Sequence, residues 1–420
     1  MLVNFSIVNY KSLREEANLS MVASAMKEPF PLPAGAMTEV EKDLRILPIA
    51  ALYGANASGK SNLVEAIGRM KHFVLTSLAR ENVLGGIPVQ PFRLSTTTVK
   101  GPTELEVSLI SNNTLYRYGF LASQERVEEE WLFERALKPR SKEKQLFYRE
   151  NNAISFHSTL FKIGGLINTQ RLLKEDVLIL TLASQLNDDN AKRVVQWLDQ
   201  FNVIEVDDDS KRISIDHIKD QTGIGQDIEN LIRLADTGIS RLEVMTTFTK
   251  ETVAASHTIY NGQGEPQGEY LFLMETQESA GTNKLFNLSG PIFCALREGS
   301  TLVVDELDAK LHPNLVEKIV LMFQDKQINK RGAQLIFTTH NTNLLSAKLL
   351  RRDQVWITEK DKFGATKLYS IADYKAEKGK ARNTEAIEQN YIDGKYGGIP
   401  FLGELENFLD RYDNGTKDQA

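Results

Sequence analysis

The sequence predicts an α/β fold: a phosphate-binding loop between an apolar strand and a helix, an antiparallel β lobe beside it, and a small helical insertion. Three observations predict this. An apolar run from Leu47 to Leu52 leads into Gly54 to Ser61, read GANASGKS, and Asn62 to Met70 then places Leu63, Ala66 and Ile67 on one helical face. Leu105, Val107 and Leu109 alternate with Glu104, Glu106 and Ser108, and after an Asn112–Asn113 turn Tyr116, Tyr118 and Phe120 alternate again, which is a hairpin pattern. No heptad pattern is sustained, so a long coiled-coil arm is not expected.

Taken in order, Val3, Phe5, Ile7 and Val8 mark a first strand, which Asn9–Tyr10–Lys11–Ser12 turns out of. A loop with Pro29, Pro31 and Pro33 follows, then the phosphate loop and its helix. Ile87 to Phe92 is expected to return the chain toward a sheet. Further strand-like pieces are Trp131 to Phe133 and Leu146 to Tyr148. Residues 1–160 therefore read as the first part of a nucleotide-binding head. Residues 161–245 read as the helical insertion: Val194, Trp197, Leu198 and Phe201 make one helical stripe, Ile228, Leu231, Ile232 and Ala235 another, and Asp207 to Asp209 a loop between them. These stripes are expected to be the insertion's own core.

Residues 246–375 read as the second part of the head. Strands resume at Glu243 to Phe248, His257 to Tyr260 and Tyr270 to Met274. A helix opens at Glu278 to Thr282 and runs toward Leu296, with Pro291 expected to kink or split it. Thr301 to Val304 is an apolar strand ending in Asp305–Glu306, and Ala333 to Phe337 is another, ending in Thr338–Thr339–His340–Asn341. Strands at Gln354 to Ile357 and Lys367 to Ile371 close the pattern, and residues 376–420 form a charged tail.

Composition narrows the function classes. With 420 residues, 41% apolar and 25% charged, the chain has room for two or three ordinary globular lobes. No apolar run approaches the roughly 20 residues of a membrane span. A single cysteine, Cys294, excludes an intrachain disulfide and a cysteine-rich metal site. A cytoplasmic protein without a membrane partner is expected. Net charge −6 and a pI near 5.7 argue against a strongly basic nucleic-acid binder. Local basic patches remain at Asn329 to Arg331, Lys348 to Arg352 and Lys375 to Arg382.

Gly54, Gly59, Lys60 and Ser61 occupy every fixed position of G-x-x-x-x-G-K-[ST]. Glycines let backbone N–H groups curl around a phosphate, and the helix start adds its positive end. Lys60 reaches the β- and γ-phosphates and Ser61 offers a hydroxyl to Mg²⁺, so ATP with Mg²⁺ is the expected ligand. An acidic pair after an apolar strand is often structural. Downstream of a complete phosphate loop, Asp305 reads as the Mg²⁺ carboxylate and Glu306 as the base for the attacking water. His340, 34 residues after Glu306, is placed to donate to the γ-phosphate. Ser279 lies 26 residues before Asp305, at a helix start with Gly281 behind it. It is a second phosphate-binding helix start, and two per chain suggest a nucleotide sandwiched between two chains; otherwise Ser279 is a plain helix cap.

These pieces in this order resemble the ABC-type ATPases of the SMC, RecF and OLD group, over nearly the whole chain. Phe5 to Ser12 resembles the opening strand and turn, GANASGKSN the phosphate loop with Asn56 and Asn62 among its nucleotide-binding residues, and Glu278 to Thr282 a reduced signature motif. Leu302 to Pro313 resembles the acidic strand and D-loop, with Asp308 as the D-loop aspartate, and Thr338 to Asn341 the switch histidine. A closer resemblance is to the AAA-type ATP-binding protein family that includes RloA-like and AbiLi-like proteins and the AriA subunit of the PARIS anti-phage system. It rests on Val89 to Phe92, Tyr116 to Tyr118, Glu130 to Leu132, Val355–Trp356 and Tyr396 to Phe401.

The resemblance implies ATP binding and slow hydrolysis, homodimerisation or higher assembly, and phage defence with a separate effector. That effector would be a nuclease or toxin, Toprim-like for example, and the trigger a phage protein or DNA. Carried over by position, Lys11 and Ser12 touch the nucleotide, and Gln90 is the Q-loop glutamine and a metal ligand. OLD-type relatives carry a Toprim nuclease lobe after the switch histidine. Here Glu359 is followed by no Asp-x-Asp, and Asp410 and Asp413 are three apart. The chain itself is therefore not expected to be the nuclease. A RecF-like DNA-repair ATPase is the alternative, lowered by the net charge. A transporter subunit would need a fuller signature than Ser279 to Thr282, and Glu306 argues against a scaffold that never hydrolyses.

Overall fold

A computed structural model describes the chain except residues 27–32, 34, 80–85, 152, 171, 205–209, 236–237, 247–250, 347–348, 375–386 and 401–420. Pro29, Pro31, Asp207 to Asp209, Phe248, Lys348, the Lys375 to Arg382 patch, Phe401, Asp410 and Asp413 lie outside the described residues.

The chain opens with β1 (Leu2–Val8), β2 (Ala17–Ser20), a small β3 (Thr38–Glu41)–β4 (Leu44–Ile46) hairpin, and β5 (Ile49–Tyr53), which runs into the phosphate loop and α1 (Lys60–Thr76). A meander follows: β6 (Thr103–Ser111), β7 (Thr114–Ala122), β8 (Val127–Ala136), β9 (Lys144–Glu150) and β10 (Ala153–Phe156). Next come α2 (Ile163–Gln170), α3 (Ile179–Gln185), α4 (Asp189–Asp199), β11 (Asn202–Ile204), α5 (Lys211–Lys219) and α6 (Gly223–Leu234). Then β12 (Ile239–Thr246), β13 (Glu251–Tyr260) and β14 (Pro266–Leu273) form a second meander, which leads through α7 (Met274–Gln277) into α8 (Ala280–Glu298). The last part is β15 (Thr301–Val304), α9 (Pro313–Gln324), β16 (Gln334–Thr338), α10 (Asn343–Ser346), β17 (Val355–Lys360), β18 (Thr366–Ser370) and α11 (Ile387–Ile392).

This is the predicted α/β architecture with an antiparallel lobe. The central sheet has the order β11-β15-β16-β5-β17-β18, parallel except for β18. All five residues of β5 are buried, as a strand covered on both faces must be. The sheet divides two cores by its alternation. Ala50, Leu52, Val303 and Ile336 face one, Ile49, Ala51, Val304 and Phe337 the other. The first core is shared with the antiparallel sheet β10-β9-β8-β7-β6-β1-β2 and with α1, whose buried Leu63, Ile67, Met70 and Val74 recur at helical spacing. Truncating Leu63 to alanine there should cost about 2–5 kcal/mol.

Two expectations are corrected. Among the described residues, the helical stripes of the 161–245 segment form no core of their own: Val194 and Leu198 of α4 belong to the core with α1, while Ile228 and Ile232 of α6 pack with α8 in the other. Between them β11 pairs in parallel with β15, so the segment wraps the central sheet and supplies its edge. Pro291 does not split α8, which runs unbroken from Ala280 to Glu298 with both ends capped, by Ser279 and by left-handed Gly299. Packing of a mostly buried helix outweighs one lost backbone bond. Ile87 to Phe92 returns the chain to the rim of the antiparallel sheet as an irregular segment. Pro88 and Pro91 supply no donors, and the segment is tied by Ile87 N–H to Gln124 O (2.8 Å) and Phe92 N–H to Asn9 Oδ1 (2.9 Å).

Two basic patches also resolve into structure. Arg351 is buried against Asp353 at 2.7 Å, and the Asn329 amide donates to Phe323 O and Ala333 O.

Candidate nucleotide site

The C-terminal ends of β5, β15 and β16 lie side by side, since β16 is the shared neighbour of the other two. In an open parallel sheet this is the edge where ligands bind. β5 delivers Gly54 to Ser61, β15 delivers Asp305 and Glu306, and β16 delivers Thr338 to Asn341.

The loop geometry requires its glycines. Gly54 has φ 157° and Gly59 φ 109°. A Cβ on Gly59 would stand 2.2 Å from Thr366 Oγ1, and one on Gly54 2.3 Å from Thr358 Oγ1. The Lys60 ammonium folds back onto the loop, donating to Gly54 O (2.8 Å) and Ala55 O (3.2 Å). Burial pulls its pKa down, and Asp305, Glu306 and Asp308 hold it up. The first N–H groups of α1 have no intrahelical acceptor, so the loop presents donors around a buried cation. Ser61 and Asn56 are exposed at this mouth. That donor set fits a polyphosphate.

Thr338 organises the acidic pair. Its hydroxyl donates to Asp305 Oδ1 (2.5 Å) and accepts from Glu306 N–H (2.7 Å). Glu306 holds a left-handed φ of 51°, a conformation a bulky residue adopts only when its surroundings impose it. Asp308 accepts from His340 N–H at 3.2 Å. His340 is solvent-exposed at its edge; partial desolvation and then Lys60 lower its pKa, against Asp308, Glu306 and Asp305. Asp308 Oδ1 and Asn341 Nδ2 are buried with no hydrogen-bond partner among the described residues. Asp305 and Ser61 are the groups suited to Mg²⁺, a hard cation that takes oxygen ligands and water.

The other predicted residues stand around this centre. Ser12 lies behind the loop: its Oγ receives Asn62 Nδ2 (2.6 Å) and Thr366 Oγ1 (2.7 Å), and Thr366 Oγ1 also approaches Ser58 O at 2.8 Å. Asn62 thus spends its amide on Ser12. Lys11 pairs with Glu65 of α1, and its N–H donates to Gln90 O at 2.7 Å, which brings Gln90 to the same turn. Ser279 caps α8 by accepting from Thr282 N–H at 3.0 Å. A Cβ on Gly281 would stand 2.8 Å from Lys310 O, so the start of α8 packs on the segment that follows Glu306 in its own chain.

Sequence reasoning missed several residues. Lys284, half-buried one turn into α8, feels Glu306, Lys310, Asp305 and Asp308. Thr358 and Thr366 brace the loop from β17 and β18. Tyr53 is fully buried at the end of β5, donates to Asn341 O (3.0 Å) and packs edge-on against Tyr391. Tyr53 and Thr366 carried a signal in their place at strand ends; Lys284 inside α8 and Thr358 inside β17 carried none.

A family model described as "AAA domain, putative AbiEii toxin, Type IV TA system" matches residues 49–346. No curated protein matches the chain. Among solved structures, that of the recombination mediator protein RecF-ATPrS in the RecFOR pathway is 13% identical, over 88% of this chain and 98% of that one, at a TM-score of 0.27, too low to bear on the fold.

Proposed function

The chain belongs to the family of AAA domains described as putative AbiEii toxins of Type IV TA systems, and from that premise we propose that it binds and hydrolyses ATP as an ABC-type ATPase head and assembles by sandwiching the nucleotide between two copies. We further infer that it serves as sensor and scaffold for a separate toxin or nuclease in anti-phage defence, triggered by a phage protein or DNA.

One observation carries the ATPase reading. A cation, Lys60, and three acids, Asp305, Glu306 and Asp308, gather under a glycine loop with no room for a Cβ. In the working site the loop N–H groups and the start of α1 bind the β-phosphate, and Lys60 exchanges the carbonyls of Gly54 and Ala55 for phosphate oxygens. Mg²⁺, when bound with ATP, would neutralise phosphate charge, and Ser61 and Asp305 would hold it. Glu306 takes the proton of the attacking water. A neutral His340 donates a hydrogen bond at the γ-phosphate without adding charge. Ser279 and Ala280 are exposed, which leaves this helix start open to a nucleotide held by a second copy. The defence reading is supported by the toxin–antitoxin wording of the family description.

The test is a pull-down of Glu306→Gln with ATP and Mg²⁺, co-expressed with the products of its neighbouring genes. Co-purification of a small effector in an ATP-dependent manner is expected. Recovery of nucleic acid alone, stripped by high salt, would replace the effector reading with a DNA-repair one.

A further inference from the structure

Two exposed apolar patches among the described residues flank the two nucleotide-binding elements. One is the β13–β14 hairpin, which leads through α7 into Ser279. Tyr270, 54% exposed, shares one face of it with Ile259, whereas Tyr260 and Leu271 lie on the other. β13 is the sole strand partner of β14 among the described residues, which leaves one edge of β14 unpaired. The hairpin is tied to the signature segment. His257 Nε2 lies 2.5 Å from Glu278 Oε1, and Leu273 N–H donates to Gln277 Oε1 at 2.7 Å.

The other patch stands beside the phosphate loop. Leu94 is 71% exposed and Phe363 58%. Leu94 covers the β17–β18 turn, where a Cβ on Gly364 would stand 2.7 Å from its Cδ1, and Thr366 at the foot of that turn approaches Ser58 O. Apolar patches left open next to a site mark an interaction surface. The charges are of opposite sign: the hairpin bears exposed Glu265 and Glu269, the latter accepting from Ser256 OH and 3.8 Å from Arg241, whereas Lys362 and Arg93 are exposed beside Phe363 and Leu94. Asp361 on the same turn accepts from Phe363 N–H and Ala365 N–H.

We propose that the β13–β14 hairpin of one chain closes on the Leu94–Phe363 patch of a second copy and latches the dimer. The proposal rests on the nucleotide-sandwich reading and adds the contact that holds the sandwich together. In a two-fold sandwich the signature side of each copy faces the phosphate-loop side of the other, so the two patches meet twice. The latch is also a coupling device. A hairpin seated on the second copy acts through His257–Glu278 on the start of α8, and so sets where Ser279 stands.

The test uses the full chain with Glu306→Gln, ATP and Mg²⁺. Two preparations carry Y270C and F363C, and the native Cys294 is buried. With a short bismaleimide, mixed Y270C and F363C protein should give a linked dimer only when ATP is present, and neither variant alone should. Y270S should weaken the ATP-dependent dimer about tenfold in light scattering, at an unchanged melting temperature. An ATP-dependent dimer that gives no Y270C–F363C product and is indifferent to Y270S overturns the latch and leaves the sandwich standing. Absence of any ATP-dependent dimer overturns both.

Discussion

The backbone of Gly398 lies against that of Gly54: a Cβ at Gly398 would stand 3.5 Å from Gly54 Cα and 2.7 Å from Ile357 Cγ2. Gly398 has a left-handed φ of 68°, and its carbonyl accepts from Tyr391 OH at 3.4 Å. Tyr369 OH donates to Tyr396 O at 2.7 Å, which anchors the same segment on β18. A motif more than 300 positions away thus forms the back wall of the phosphate loop.

Gly398→Ala should therefore act on the loop from behind. Backbone strain and the contact with Ile357 together should cost about 1–3 kcal/mol. Displacement of Gly54 should weaken ATP binding as well. Calorimetric titration with ATP and a melting curve check both; a variant with lowered stability and unchanged ATP affinity would show that the wall does not shape the loop.

Thr338→Val removes one hydroxyl that is fully buried and serves two partners. Asp305 Oδ1 loses a donor and Glu306 N–H an acceptor, at a cost of about 1–3 kcal/mol. Glu306 is then free to leave its left-handed conformation. Hydrolysis should fall about 10²-fold, with ATP affinity nearly unchanged. Steady-state kcat beside equilibrium ATP binding separates the two effects.

Much of this site was legible because its pieces are local. Gly54 to Ser61 is one turn between a strand and a helix, and Asp305–Glu306 ends a strand, so neighbours in sequence are neighbours in space. The Thr338–Asp305 bond was not legible, because it depends on β16 lying beside β15, a pairing that hydrophobic periodicity does not encode. Thr366 reaches Ser58 O across 308 positions for the same reason. β11 is three residues long, too short to show a period, and its loss from the reading made the 161–245 segment look like a separate lobe. Pro291 shows the opposite case: a local rule predicted a kink or a split, and α8 runs on through it without a split.

Glu130 gives the fold a pH dependence. Its carboxylate is fully buried and accepts from Ile179 N–H (2.6 Å), Leu180 N–H (2.9 Å) and Tyr118 OH (3.1 Å), so it ties β8 to the start of α3. Burial pushes its pKa up from 4.5 to about 7, with Arg149 pulling the other way. The folded chain therefore binds this proton more tightly than the unfolded chain. The stabilising contribution is complete below about pH 4.5 and is lost as pH rises through about 7. Glu130→Gln keeps an acceptor for the helix and removes the titration. Melting temperatures measured from about pH 5 to 8 should lose this component of their slope in the variant; an unchanged slope would assign the dependence to other groups.

Lys284 links α8 to the acidic cluster within one chain. It is half-buried; burial lowers its pKa, while Glu306 is the largest influence holding it up. Gly281, one turn earlier on the same helix, packs on Lys310 O, so this face of α8 rests on the segment that follows Glu306. A cation there offsets three carboxylates, Asp305, Glu306 and Asp308, when Lys60 turns toward phosphate. Lys284→Met keeps the apolar stem and removes the charge. The three carboxylates then repel one another more strongly beside the attacking water. Hydrolysis should fall about tenfold, with ATP binding little changed. Lys284→Arg keeps the charge and should retain most of the activity; an equal loss in both variants would instead assign Lys284 a packing role against Lys310.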